Sequence, residues 1–354
     1  MTPPKAADAA LDAGNPQVAA SSAPLAPRDA VFPVLISLGF CHLLNDLMQS
    51  LIPALYPMLK AQLQLDFAQI GMITLAFQLT ASLLQPTVGI YTDRRPQPYS
   101  LALGMGSTLI GLVLLSMAAD YSMVLLAAAL VGTGSAVFHP EASRVARMAS
   151  GGRYGVAQAA RSKAPVPPSR AVFYVLVLML LVFSRNVYSS SLTSFFAFYL
   201  IGRFSLPVQE AQVQLFIYMA AIAVGTLAGG AISDRIGRRP MIWISILGAL
   251  PFTLALPYAN LFWTAVLTIV IGIVMASAFP AILVYAHELV PGRVGLISGV
   301  FFGFAFGLGG LGAAAMGRIA DAHGIAFVYQ LCSYLPALGL VAWLLPKLDR
   351  QRLG

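Results

Sequence analysis

The chain has 354 residues, of which 58% are hydrophobic and only 10% are charged. A soluble domain of this length needs a larger charged surface, whereas a bilayer core requires apolar runs of about 20 residues. The composition therefore excludes an ordinary soluble protein and predicts an all-α polytopic membrane protein in contact with lipid. The net charge of +8 indicates basic residues on one membrane side rather than a nucleic-acid partner.

Residues 1–30 are rich in Ala, Pro and Ser, without an apolar core and cleavage site, and predict a disordered cytoplasmic tail. A short cytoplasmic tail is also expected at 347–354. Between the tails, apolar runs predict ten membrane spans, at 32–59, 68–92, 98–119, 121–149, 171–201, 211–233, 240–258, 260–288, 295–320 and 325–346.

An even number of spans places both termini on one side of the membrane. If that side is the cytoplasm, 17 Lys and Arg residues lie inside and only Lys60, Arg203 and Arg318 lie outside, with Arg185 within a span. Cytoplasmic connections of membrane proteins carry an excess of Lys and Arg. The sequence therefore predicts two cytoplasmic termini.

Two features recur along the chain at nearly the same offset. Residues 89–94 (Gly-Ile-Tyr-Thr-Asp-Arg) return as residues 230–235 (Gly-Ala-Ile-Ser-Asp-Arg), so that Asp93 corresponds to Asp234. A segment with Phe and Pro at 138–140 returns at 279–280. Two independent landmarks at one offset indicate an internal repeat, as in many transporters.

The repeat is interrupted by a basic, proline-containing segment at 150–170, which we interpret as a cytoplasmic linker. Four predicted spans precede it (31–149) and six follow it (171–346). The chain therefore looks like a six-plus-six arrangement whose first half lacks its last two helices.

The repeated Gly-x-x-x-Asp-Arg segment is predicted at the cytoplasmic end of a helix. There, a glycine permits close helix approach, and a carboxylate accepts hydrogen bonds from Arg or a helix N-terminus. Such a group suits a gate that forms in one state, although one copy alone could be a solvated ion pair. The predicted gate residues are Gly89, Asp93 and Arg94, and Gly230, Asp234, Arg235, Gly237, Arg238 and Arg239.

The second copy resembles throughout the signature loop of the major facilitator superfamily, Gly-x-x-x-Asp-Arg-x-Gly-Arg-Arg, and the first departs from it at Pro96. Residues 39–46, 137–144 and 150–153 resemble the fosmidomycin-resistance branch. The resemblance covers about 31–160 and 171–346. It implies two helical pseudo-repeats around a central cavity, in a bacterial cytoplasmic membrane, and proton-driven drug export. The family's fifth and sixth helices are missing after Ala160.

Asp46 is predicted at the centre of the first span, with His42 one turn earlier on the same face. An ionisable residue at such a depth costs roughly 2.5–3.5 kcal/mol and usually marks a transport path. We therefore expect Asp46 to carry a proton, with His42 as its partner. The alternative is a buried structural pair.

Arg185 is predicted at the centre of the fifth span, which is the repeat equivalent of the first. Asn186 follows Asn45 at the same offset at which Asp234 follows Asp93, so the two asparagines are repeat equivalents. A guanidinium forks onto phosphonate or carboxylate groups. Arg185 is therefore the expected anion-binding residue, with Asn45 and Asn186 as polar neighbours. The rival interpretation is a permanent salt bridge between Asp46 and Arg185.

His139 and Glu141 are predicted toward the cytoplasmic third of the fourth span. Glu141 could relay a proton or pair structurally with Arg144. His287 and Glu288 end the eighth span and are expected to be a solvated helix end.

A glycine-rich run at 303–317 fits G-x-G-x-x-G, but no strand precedes it, so a dinucleotide site is not expected. These glycines instead predict close helix packing where the halves meet. We find no metal-ligand cluster, nucleophile or phosphate loop in the sequence, so neither a cofactor nor an enzyme is expected.

The expected function is proton-coupled export of a small, anionic, drug-like compound. The missing fifth helix would pack beside the span 211–233, so one side of the cavity would be open to lipid unless a homodimer seals it. Two alternatives remain: a shortened, transport-incompetent membrane protein, and an importer of a sugar or organic acid.

Overall fold

A computed structural model describes residues 31–94, 97–149, 166–290 and 294–348. These ranges are helical and contain no strand. The α-helices are α1 (Phe32–Leu63), α2 (Phe67–Arg94), α3 (Ser100–Ser116), α4 (Tyr121–Ala149), α5 (Pro168–Phe204), α6 (Val208–Ile236), α7 (Arg238–Ile246), α8 (Leu250–Ala255), α9 (Leu261–Ala276), α10 (Ala278–Leu289), α11 (Val294–His323) and α12 (Ile325–Ser333). Two 3-10 segments, Leu256–Tyr258 and Leu335–Leu344, extend α8 and α12.

Nine helical segments within the described ranges are long and apolar enough to cross a membrane. The third predicted span corresponds to α3, which has only 17 residues and falls short of that length. The predicted division into four and six spans is therefore not confirmed. The tail 1–30, residues 150–165 of the linker and residues 349–354 lie outside the described residues, and α5 already begins at Pro168.

The helices form two halves, α1–α4 and α5–α12, which meet along α2 and α11. The bundle has two ends. The end that carries the connections 64–66, 117–120 and 205–207 is called the closed end, and the end where α2, α4, α6 and α10 terminate is called the open end.

The names closed end and open end refer to the hydrophobic cores found there. At the closed end, one core includes side chains from both halves, among them Ile52, Tyr56 and Ile73 of the first half and Leu192 and Phe195 of the second. At the open end, the described residues form separate cores: one lies entirely in the second half, and a small one lies in the first. The described apolar cores thus join the halves at the closed end, whereas each core at the open end belongs to one half.

Glycines of α11 allow the close contact between the halves. A Cβ added to Gly317 would collide with the backbone of Phe67 and Ala68, and one added to Gly310 would meet Leu75. From the α2 side, a Cβ at Gly71 would collide with the Ala313 backbone. The predicted role of the glycine-rich run as a packing surface is confirmed.

Gly132→Ala is expected to lower thermal stability. A Cβ at Gly132 on α4 would collide with the Phe77 backbone carbonyl and the Thr80 hydroxyl on α2. Overpacking of this kind costs about 1–3 kcal/mol, so the melting temperature in detergent should fall by several degrees. Gly106→Ala is the control, because a Cβ there meets nothing within 4 Å. Equal melting temperatures for both variants would contradict this account of the packing.

Several helices expose apolar faces, among them α1, α3, α5 and α6. On α1 the exposed side chains follow helical spacing through Phe32, Ile36, Phe40, Leu43, Leu47 and Leu51. On α6 they include Val213, Phe216, Val224 and Leu227. These faces have no neighbour among the described residues, and α6 is the helix beside which the missing fifth helix was predicted.

Candidate functional site: a mid-bundle arginine and a carboxylate–histidine pair

Arg185 lies near the middle of α5 and is held by its own half. Its Nε donates to the carbonyl of Met275 at 2.9 Å, and its Nη1 donates to Oδ1 of Asn186 at 3.1 Å. The guanidinium also lies over the ring of Phe279, 5.5 Å from its centroid. The Nη2 group makes no hydrogen bond to the residues that the structure describes. The guanidinium is therefore fixed in place while part of its donor fork stays available.

Asn186 fixes this arrangement from its own helix. Its Nδ2 donates to the carbonyl of Val182 at 2.9 Å, which orients Oδ1 toward Arg185. Asn45, its repeat equivalent, is fully buried on α1, and its Nδ2 lies 3.4 Å from Oδ1 of Asp46. Each asparagine thus contacts the ionisable residue beside it in the chain.

Asp46 and His42 form a pair on α1, with Nε2 of the histidine 3.4 Å from Oδ2 of the carboxylate. The side chains are 53% and 45% exposed, so they do not form the buried structural pair of the alternative interpretation. Leu43 and Leu47, next to the pair on the same helix, are exposed as well.

Aromatic contacts extend from His42 across the halves. His42 packs edge-on against His139 of α4, with ring centroids 5.1 Å apart, and His139 stacks on Phe306 of α11 at 6.4 Å. Phe138 packs against both histidines. The sequence placed His42 and His139 on separate spans, and the fold brings them together beside α11.

Glu141 lies in a different environment. It is buried, and its Oε2 accepts a hydrogen bond from the hydroxyl of Ser100 at 2.9 Å. Ser100 is the first residue of α3, so the carboxylate lies at a helix N-terminus, where negative charge is favourable. This contact favours the structural interpretation of Glu141 over the relay, and the side chain of Arg144 lies outside the described part.

Asp46 and Arg185 form no ion pair in the described structure. Each instead contacts groups of its own half, although both lie near the middle of their helices. A permanent salt bridge between them is therefore not a feature of this conformation.

The sequence did not identify a set of hydroxyl and amide groups between the halves. The hydroxyl of Tyr56 lies 2.7 Å from that of Thr74, which lies 2.9 Å from that of Ser194. One turn nearer the open end, Gln78 donates to Ser190 at 3.2 Å. The sequence gives no signal for the contacts of Ser194 and Ser190, because their partners Thr74 and Gln78 lie far away along the chain, on the other side of the interface. Tyr56 and Thr74 belong to the same half.

The second gate motif forms a compact charged group at the open end. Arg238 contacts Asp234 at 2.5 Å, Glu288 of α10 at 3.6 Å and the hydroxyl of Ser233 at 2.9 Å. Gly237 has a φ of +99°, a left-handed conformation that favours glycine. Arg239 donates to the Trp343 carbonyl at 3.2 Å, and Arg235 lies in the last turn of α6.

Two expectations about this end are corrected. Gly230 faces open space, and it is Gly229 at which an added Cβ would collide with Ser277, because the helix phase turns Gly230 away. His287 is buried and lies 2.9 Å from the Ser298 hydroxyl, rather than being solvated. For the first motif, α2 includes Gly89, Asp93 and Arg94, but their side chains lie outside the described part.

A two-half helical bundle with fixed ionisable groups at mid-depth is the architecture of a multi-pass membrane transporter, not an enzyme. Comparison with known families agrees. The model of the Major Facilitator Superfamily matches residues 38–162 and 174–353, and the chain belongs to this superfamily.

Two relatives match over nearly their whole lengths. The chain is 47% identical to the fosmidomycin resistance protein of Escherichia coli (strain K12), over 93% of this chain and 96% of that protein. It is 34% identical to the uncharacterized MFS-type transporter YfnC of Bacillus subtilis (strain 168), over 92% and 96%. The first alignment has 391 positions, more than this chain has residues, so that relative contains residues without a counterpart here.

Solved structures agree on the fold. A bacterial homolog of the human lysosomal transporter Spinster, inward-facing and occupied, superposes with a TM-score of 0.66 at 16% identity, over 88% of this chain and 94% of that one. The nucleoside transporter NupG gives 0.60 at 17%, over 89% and 100%.

Proposed function

We propose that this chain is a proton-coupled antiporter of a bacterial cytoplasmic membrane that exports a small anionic compound of the phosphonate type. The observation that carries the proposal is the 47% identity to a fosmidomycin resistance protein over nearly its full length. Fosmidomycin is a phosphonate, and an anionic substrate matches a mid-bundle arginine with unused donors.

The orientation follows from charge. Among the described residues, Lys and Arg concentrate at the open end, where α2, α4 and α6 terminate, and only Lys60, Arg203 and Arg318 lie at the closed end. By the positive-inside rule the open end faces the cytoplasm, together with both termini. The described conformation is then inward-facing, ready to take a substrate from the cytoplasm.

Arg185 is the proposed substrate-binding residue. Its bonds to Met275 and Asn186 fix the plane of the guanidinium, which lowers the entropy cost of binding an oxyanion at Nη2. Asn45 and Asn186 are polar neighbours at the same depth. A neutral sugar would gain little from this charge, which disfavours the importer of sugars.

Asp46 is the proposed proton carrier, with His42 and His139 as the next titratable groups. The histidine rings pack edge to face with their centroids 5.1 Å apart, so the two imidazoles are in direct contact. An alternating-access cycle then couples two steps. The outward-facing protein releases the substrate outside, and it returns to the inward-facing state with a proton bound to Asp46. Glu141 is assigned a structural role at the start of α3 because it binds Ser100.

The residues of the E. coli relative that have no counterpart here support the inference that two helices, one of them beside α6, are missing. The family match also breaks between 162 and 174. A chain with this open flank either needs a cover, for which a second copy of itself is the simplest candidate, or does not transport. Cross-linking of Leu43→Cys between copies in the membrane tests the homodimer.

A resistance assay tests the function. Cells that lack their own exporter would express this chain and be exposed to a phosphonate antibiotic, beside a version into which the two missing helices of the E. coli relative are inserted after residue 160. Protection by the chain itself supports transport by the shortened bundle. Protection only by the longer version would show that the chain is transport-incompetent, and protection by neither would overturn the substrate.

A further inference from the structure

The start of α2 is capped by a carboxylate from the other half of the protein. The two oxygens of Asp321, in the last turn of α11, accept hydrogen bonds from the backbone amides of Phe67 and Ala68, each at 2.8 Å. A helix begins with four amides that have no partner within the helix. Here a residue from the far end of the chain binds two of them.

The other two amides are satisfied locally. The Gln69 amide donates to Oδ1 of Asp66 at 2.6 Å, and the Asp66 amide donates to the side-chain oxygen of Gln69 at 2.9 Å. The two residues form a reciprocal cap, and the first bond within the helix runs from the Ile70 amide to the Asp66 carbonyl at 3.2 Å. Asp66 thus fixes the helix start within one half, whereas Asp321 connects it to the other half.

The approach of Asp321 depends on Gly317, one turn earlier on α11. A Cβ at Gly317 would collide with the Phe67 carbonyl, so a larger residue would push α2 away from the carboxylate. Gly317 and Asp321 are therefore a third Gly-x-x-x-Asp pair at the end of a helix, after Gly89 with Asp93 and Gly230 with Asp234. The first two lie at the open end, and the third lies at the closed end.

We propose that Asp321 and Gly317 form a latch that holds the closed end shut, and that the strength of this cap sets the balance between inward-facing and outward-facing states. The inference rests on the proposed alternating-access function. When the closed end opens, α2 and α11 must separate there, and both bonds from Asp321 are lost. In the inward-facing state the carboxylate also benefits from the positive end of the α2 dipole.

Within the described residues, the internal repeat has this latch at the start of α2 and no equivalent at the start of α6. In the internal repeat, α6 is the helix equivalent to α2. Its first residue, Val208, lies as far along the chain from Phe67 as Asp234 lies from Asp93. Within the described residues, the N-terminus of α6 has no side-chain cap, and the helix that would supply one is the missing fifth helix. Among the described residues, Asp321 is thus the one carboxylate that joins the halves at the closed end.

The test measures opening from outside without drug or proton gradient. The reporter is Ser194→Cys, at a position that is buried between the halves beside Thr74, in a chain with Cys41→Ala and Cys332→Ala. A membrane-impermeant thiol reagent is added to whole cells. Because Asp321→Ala removes two bonds that exist only when the end is closed, we expect labelling to rise about threefold or more.

Asp66→Ala is the matched control, because it removes a cap from the same helix start without separating the halves, and its labelling should equal that of the parent. A second reporter, Leu178→Cys, lies fully buried inside the second half and should stay unlabelled in every variant. Parent-level labelling with Asp321→Ala overturns the latch. Equal rises with Asp66→Ala, or at Leu178→Cys, overturn it as well, since Asp321 would then only stabilise the fold. Failure of drug resistance leaves this readout unaffected.

Discussion

Asp46→Asn is expected to abolish transport driven by a pH gradient while exchange of substrate across the membrane continues. The amide has the shape of the carboxylate and can still contact His42, which lies 3.4 Å away, but it neither binds nor releases a proton near neutral pH. A carrier that must return protonated then loses its driving force. In proteoliposomes, gradient-driven accumulation should fall roughly tenfold or more, and counterflow at equal pH should stay near the parental rate.

Asp120→Asn is the control for loss of a carboxylate. Asp120 lies in the connection before α4, where hydrogen bonds from the Ser122 hydroxyl and the Met123 amide hold the pKa of its carboxyl below the ordinary value. It is therefore ionised at the assay pH and far from the proposed path. Its variant should accumulate substrate like the parent. Full gradient-driven accumulation by Asp46→Asn would remove Asp46 from the proton path.

The structural features that the sequence predicted correctly are those that depend on composition and on the internal repeat. Apolar runs located the long helices because a bilayer demands about 20 such residues in each. The repeat offset between Asp93 and Asp234 predicted that α2 and α6 are equivalent, and these helices start that same distance apart along the chain, at Phe67 and Val208. Helical spacing also placed His42 and Asp46 on one face.

The partners of these groups could not be predicted, because most are backbone atoms or distant small side chains. Arg185 binds the Met275 carbonyl, and Asp321 binds two backbone amides. Neither contact leaves a complementary charge in the sequence. His287 was misjudged because its burial depends on Ser298 of the next helix. The exposure of Asp46 depends on which helices pack beside α1, which no local pattern reports.

Arg185→Lys is expected to weaken binding of an anionic substrate by about tenfold, or roughly 1.4 kcal/mol. Lysine keeps the charge, but it cannot bind Met275 and Asn186 and still present a planar donor pair to an oxyanion. The apparent KM for a phosphonate should rise, and the transport rate at saturation should change less. A neutral analogue of the same compound should show no such change.

Arg203→Lys is the matched control on the same helix. Arg203 ends α5 at the closed end, where its guanidinium donates to the carbonyls of Pro257 and Ala259 and lies over the rings of Tyr199 and Phe204. All of these contacts are structural, so this variant should lose stability without a change in KM. If Arg185→Lys and Arg203→Lys raise the KM equally, or neither does, Arg185 does not bind the anion. If only Arg185→Lys raises the KM, the oxyanion is bound by the planar guanidinium and not by positive charge alone, because lysine carries the same charge.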